Sequence, residues 1–222
     1  MAAAAVLTLS LAAAGGAAHA ASLINDGDFS NPNQNGGYNI YSPGINGWMN
    51  DNGDGVEIGN SAIYGLACEN AGCQNLEVNA NTFDTDSQTV TGLIVGDTYD
   101  LSYLYGERSS GGPQMLNVYF GAAPSNTSFL TQDATPGPGN NGPNSWTLNS
   151  FVVRAVATTE TLYFQSLATS GSRSYGNEIT NVSLTAVGAV PEPSTWAMFL
   201  VGFGGIGFMM RGSRRKGAAA TA

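Results

Sequence analysis

The chain has 222 residues and a net charge of −9, yet only 10% of its residues are charged. Between Ala21 and Ala189 there are 15 Asp or Glu against three basic residues, Arg108, Arg154 and Arg173. A body this acidic repels phosphate backbones, which excludes nucleic-acid binding; the only His is His19, which excludes histidine-based triads from the body.

Met1 to Ala20 reads MAAAAVLTLSLAAAGGAAHA, an apolar stretch without Lys or Arg that ends in Ala18-His19-Ala20. Small residues at −3 and −1 mark a signal-peptidase site, so cleavage is expected after Ala20. The alternative is a buried Ala-rich helix. From Ala21 the polarity comes from amides and hydroxyls rather than ions, and 30 residues of the chain are Gly. That composition fits an extracellular, loop-rich, all-β domain.

The expected strands follow in order. Ser22–Ile24 is short and apolar and precedes the turn Asn25-Asp26-Gly27-Asp28. Asn31 to Gly55 reads as a loop with Trp48 in its middle. Val56–Ile58, Asn75–Asn79, Ser87–Thr91, Thr98–Tyr105 and Gln114–Phe120 alternate or are rich in β-branched residues. Gly92 to Tyr99 reads as strand, turn at Gly96-Asp97, strand; Asp133 to Ser145 is a Pro/Gly/Asn loop. Trp146–Ala157, Glu160–Leu167 and Ile179–Val187 close the body. Short strands broken by Gly, Pro, Asn and Asp predict an antiparallel sandwich, with no window of helical period.

At the end, Trp196 to Met210 is a 15-residue run without charge, followed by Arg211, Arg214, Arg215 and Lys216. About 20 apolar residues span a bilayer, and Gly202, Gly204, Gly205 and Gly207 weaken a helix further. Transient insertion into the inner membrane, basic end inside, is expected. The domain plan is therefore 1–20 signal peptide, 21–188 β-sandwich, 189–216 C-terminal signal with one short apolar helix, and 217–222 tail.

Pro191-Glu192-Pro193, Trp196, the apolar run and then Arg211, Arg214 and Arg215 resemble the PEP-CTERM sorting signal in its PEPxxWA form. The resemblance implies recognition by an exosortase, a membrane cysteine protease, after signal peptidase has acted. It implies export in a Gram-negative bacterium that makes extracellular polysaccharide, with a cell-envelope or extracellular destination. The other reading of the tail is a plain anchor. In the body, Leu23-Ile24-Asn25-Asp26-Gly27-Asp28-Phe29-Ser30, Gln88 to Tyr105, and Asn177 to Leu184 resemble the opening, central and closing segments of galactose-binding-like jelly rolls. Carbohydrate-binding modules and DUF642-like cell-wall proteins share that layout. The fold implied is an antiparallel jelly-roll β-sandwich.

Cys68 and Cys73 are the only cysteines. In an exported chain the pair reads as a small disulfide, since the body offers no His for a metal or for a catalytic thiol. Relatives of this layout hold a structural calcium on an acidic residue ending the opening motif and an Asp of the closing strand. Those positions are Ser30 and Thr180 here, leaving Asp26, Asp28 and Glu178 as candidate ligands; Asx turns are the other reading of the two aspartates. No other cofactor is expected. For sugar binding, aromatic faces and Arg are the useful groups, and the candidates are Trp48, Tyr105, Arg108, Trp146 and Tyr175. A core role is the alternative for Trp48 and Trp146. The expected function is a non-enzymatic envelope or matrix protein binding extracellular polysaccharide. A secreted glycoside hydrolase with paired carboxylates and a purely structural or adhesive surface protein are the alternatives.

Overall fold

The computed structural model describes residues 21–108, 111–121, 130–134, 146–187, 198–199 and 201–203. The chain divides into the unit Ala21–Val187 and a second unit made of the two terminal segments. Among the described residues of the body, twelve strands form two six-stranded antiparallel sheets. One sheet contains β1 (Tyr38–Tyr41), β4 (Val56–Asn60), β5 (Gln74–Glu77), β12 (Asn177–Ala186), β7 (Thr98–Glu107) and β10 (Thr147–Arg154), in that spatial order. The other contains β2 (Gly44–Ile45), β3 (Trp48–Asn50), β6 (Thr85–Thr91), β11 (Thr159–Ser166), β8 (Gln114–Gly121) and β9 (Leu130–Ala134). From β5 to β12 the order 5-12-7-10 faces 6-11-8-9, which is the double Greek key of a jelly roll. The remaining four strands extend both sheets on one side.

Alternation explains which residues enter the core. Tyr99, Leu101, Tyr103 and Tyr105 point inward from β7, meeting Leu116 and Val118 of β8 and Leu162 and Phe164 of β11. In β12 the inward residues are Ile179, then Val182 and Leu184. That odd step is made by a bulge between Thr180 and Ser183, with Asn181 at φ 51°. Without the extra residue Val182 and Leu184 would face outward.

Three expectations of regular structure change. Ser22–Ile24 is not a strand, although the Leu23 N–H donates to the Leu184 carbonyl at 2.8 Å. Leu93–Val95 is not a strand either: Gly92 and Gly96 have φ of 81° and 93°, so the chain turns there with Leu93 alone buried. The supposed loop 31–55 holds β1, β2 and β3, too short for an alternating pattern to register. The one helical element of the described body is a 3-10 turn, Ser61–Tyr64, capped by the Asn60 side chain. In the tail, 198–199 and 201–203 are helical. Among the described residues no helix is long and apolar enough to cross a membrane.

Candidate functional site

Val56-Glu57-Ile58 and Leu76-Glu77-Val78 put a glutamate between core residues, and Glu178 precedes the core residue Ile179, so each glutamate lies on the outer face of its sheet. Register then lines them up. Glu57 pairs with Glu77, and Glu77 with Glu178, across β4, β5 and β12. Gly106 of β7 is opposite Glu178 and continues the row. These carboxylates are 4%, 0% and 0% exposed, because the 3-10 turn and the segments ending β7 and preceding β12 cover them.

Tyr64 from the 3-10 turn donates its hydroxyl to Glu57 Oε1 at 2.8 Å. Gly59 and Gly106 give the cover its closeness: a Cβ on Gly59 would overlap Tyr64 Oη, and one on Gly106 would meet the Trp146 ring at 2.9 Å. Arg108 Nη1 forms an ion pair with Glu77 Oε2 at 2.8 Å. Its guanidinium lies between two rings, 4.8 Å from the centroid of Tyr64 and 4.1 Å from that of Tyr175. The Gly176 N–H donates to Glu77 Oε1, and Asn75 donates to Glu178.

Burial disfavours charge on all three acids. It raises Glu57, against the opposing effects of Tyr64, Arg108 and Glu77. Burial, then the Glu57 charge, pushes Glu77 up to about 8 even with Arg108 beside it. Glu178 rises well above its usual range through burial and then the charges of Glu77 and Glu57. One arginine faces three buried acids, and the titration of all three is shifted upward.

The sequence-selected aromatics separate. Trp48 is fully buried, packed on Phe29 and Phe164 at 5.2 and 6.1 Å, with its indole N–H on the Asn25 carbonyl. Tyr105 is also a core residue, its hydroxyl donating to Asn177 Oδ1 at 2.7 Å. Neither has a face for a sugar, and both are corrected to core roles. Arg108, Tyr175 and Trp146 lie around the glutamate row. Tyr175 is 44% exposed, and the half-buried Trp146 donates to the Ala67 carbonyl at 2.9 Å. Arg108 stacks on Tyr175, and the Trp146 ring stands over Gly106, which continues the same row.

Sequence reasoning passed over a second polar row on the other sheet, in which Thr85, Ser87 and Tyr119 are buried and Asn117, Tyr163 and Gln165 are half-buried. Ser87 pairs with Tyr163, and Tyr163 with Tyr119; in the next row Thr85 pairs with Gln165, and Gln165 with Asn117. Asn117 donates to Tyr119 Oη at 3.0 Å and Tyr119 to Gln165 Oε1 at 3.1 Å. The alternation of β8 and β11 was the available signal; the pairing that sets the tyrosines side by side was not.

Cys68 and Cys73 form the expected disulfide. The proposed calcium ligands do not assemble. Asp26 accepts from Asn46 and from the Asn31 N–H, and Asp28 accepts from the Ser30 N–H at 3.2 Å, an Asx turn. Glu178 belongs to the buried row instead. Among the described residues no three His, Cys, Asp or Glu side chains are grouped to hold a metal ion.

The C-terminal sorting residues Pro191, Glu192, Pro193, Trp196, Arg211, Arg214 and Arg215 lie outside the described residues. Residues 189–216 match the PEP-CTERM protein-sorting motif. The chain thus carries the sorting motif that its last residues resemble. No curated protein matches the chain. Among solved structures it is similar to the enzymatically active domain of tailspike protein 4 of bacteriophage CBA120, with 13% identity and a TM-score of 0.42. That match covers 75% of this chain and 21% of the phage chain, so this chain spans about a fifth of it. It is similar to TmCBM61 in complex with β-1,4-galactotriose, at 11% identity and TM-score 0.45, over 75% of this chain and 99% of that one. It is also similar to the CBM22-1 xylan-binding domain of Paenibacillus barcinonensis Xyn10C, at 12% identity and TM-score 0.42, over 78% and 98% of the two chains.

Proposed function

We propose that the protein is an exosortase-processed, non-enzymatic envelope or matrix component that binds extracellular polysaccharide through the Arg108–Tyr175–Trp146 patch. The observation that carries the reading is the fixed guanidinium of Arg108, held by buried Glu77 and stacked on Tyr175. A sugar needs an aromatic face for its C–H surface and a pre-oriented donor for its hydroxyls. The patch offers both on elements already locked by hydrogen bonds, so little freedom is lost on binding. The sorting motif supports export, and a cell-envelope or extracellular destination is where polysaccharide is met. Glycoside hydrolysis is disfavoured because the paired carboxylates Glu57, Glu77 and Glu178 lie buried beneath the patch, whereas a glycosidase needs its acids along an open groove.

The test is affinity for polysaccharides, first those of the native host, with the residue 21–189 body and its Tyr175→Ala variant. Loss of one stacking face is expected to weaken binding roughly tenfold, with an unchanged melting temperature. A second reading follows from the half-buried Tyr163: if Tyr163→Ala weakens binding and Tyr175→Ala does not, the glycan lies on the other sheet. Folded protein that binds no glycan but self-associates would replace the proposal with a structural or adhesive role.

A further inference from the structure

Three separate parts of the chain meet at one side-chain nitrogen. Asn70 Nδ2 lies 3.0 Å from the Asp28 carbonyl, 2.9 Å from the Gln74 carbonyl and 2.8 Å from Thr180 Oγ1. The first belongs to the N-terminal turn, the second to β5 and the third to β12. The Thr180 hydroxyl donates its own proton to the Gln74 carbonyl at 2.9 Å, so its lone pairs are free to accept from Asn70.

The loop that presents Asn70 is closed on itself. Cys68 and Cys73 bridge across it, and the Cys73 N–H donates to the Asn70 carbonyl at 3.1 Å. Asn70 Oδ1 accepts from the Gly72 and Gln74 N–H groups at 3.1 and 3.2 Å, which fixes the orientation of the amide. Gly72 packs against Ser30, with space for a Cβ only 3.1 Å from the Ser30 Cβ. The Gln74 side chain ties the same turn down, donating to the Phe29 and Pro32 carbonyls. The Asn181 side chain reaches back to the Glu69 carbonyl at 3.1 Å.

Convergent carbonyl and hydroxyl oxygens from distant segments are the kind of lining a hard cation bridges, but a calcium ion also needs anionic ligands. The side chains here, Ser30, Asn70, Gln74 and Thr180, are neutral. Asp28 turns its main-chain carbonyl to Asn70, while its carboxylate Oδ1 accepts from the Ser30 N–H. We propose that the Asn70 amide, presented by the disulfide-closed loop, takes the place of a structural cation in joining the N-terminal turn, β5 and β12. The jelly roll is then independent of calcium, and Asn70 is the single residue whose exchange creates a need for it. Asn70→Asp keeps the shape, removes both donors and adds the missing charge, turning the point into an oxygen-only site.

The experiment is thermal unfolding of the full-length protein and its Asn70→Asp and Asn70→Leu variants, each in excess calcium chloride and in EDTA. The wild type is expected to melt at the same temperature, within about 1 °C, in both. Asn70→Asp is expected to melt roughly 5 °C lower in EDTA and to recover in calcium. Asn70→Leu is expected to be lowered by a similar amount and to ignore calcium. A wild type that loses stability in EDTA and regains it with calcium overturns the proposal, whether or not either variant folds. So does an Asn70→Asp variant as stable as wild type in EDTA.

Discussion

Tyr64 and Gly59 show how much a single position carries. The Tyr64 hydroxyl reaches Glu57 only because residue 59 has no side chain, and an added Cβ would occupy the place of that hydroxyl. Gly59→Ala forces Tyr64 out and leaves a buried carboxyl without its donor. We expect a loss of about 2–4 kcal/mol in urea unfolding. Gly37→Ala is the matched control, since its Cβ would meet only the Gln34 carbonyl at 3.5 Å; it should stay within about 0.5 kcal/mol of wild type. The disulfide is worth testing on the same scale. Replacing Cys68 and Cys73 together by Ala frees a short loop and should cost about 2 kcal/mol. Single residues were also where sequence misled. Trp48 and Trp146 both sit among Gly and Asn, and nothing local separates a core indole from a surface one. What separates them is that β3 pairs with β6 so that Trp48 stands opposite inward-facing Gln88, a long-range fact.

At the scale of strands, the glutamate row is the feature with a measurable consequence. Glu57, Glu77 and Glu178 face Tyr64, Arg108 and each other, and among the described residues Arg108 is the cation that opposes the rise. Glu77 titrates near 8 in the folded body against 4.5 ordinarily, and Glu57 and Glu178 move in the same direction. The folded state therefore holds protons that the unfolded chain has already released. Its contribution is fully present below about pH 4.5 and is lost as pH rises through 8. Melting temperature should fall steadily from pH 5 to pH 9, and Glu77→Gln, neutral at every pH, should flatten that slope. A melting temperature that rises over this range would show the row to be ionised and otherwise paired. Much of this element was legible in sequence. The motifs Val56-Glu57-Ile58 and Leu76-Glu77-Val78 assign each glutamate to the outer face by period two alone. That the three stand side by side was not legible, because register arises from pairings across 20 to 100 residues. The same limit hid β1, β2 and β3, whose two to four residues carry too short a pattern.

For the molecule as a whole, the question is how the sorting motif and the sandwich divide the work. β12 ends at Ala186, and the Val187 N–H still donates to the Thr98 carbonyl at 3.0 Å. The motif begins at residue 189, two residues beyond Val187. A cut near Pro191-Glu192-Pro193 leaves all the described strands, Tyr38 to Ala186, on the body side. Its four basic residues leave with the tail, so the acidic excess of the body grows on release. Two outcomes follow in the native host. Intact masses of the mature protein should lack residues 1–20 and the segment from about residue 190 onward. The released body should melt cooperatively on its own, because the described strands and the core residues they carry lie within Ala21–Val187. Changing Pro191, Glu192 and Pro193 together to alanine should leave the tail attached and keep the protein in the membrane fraction. If that variant is still trimmed and released, a general protease is responsible and the motif is not what sorts the chain. If the wild type keeps its tail in the membrane, the tail is an anchor, and any polysaccharide contact is made from the membrane surface rather than by a free matrix component.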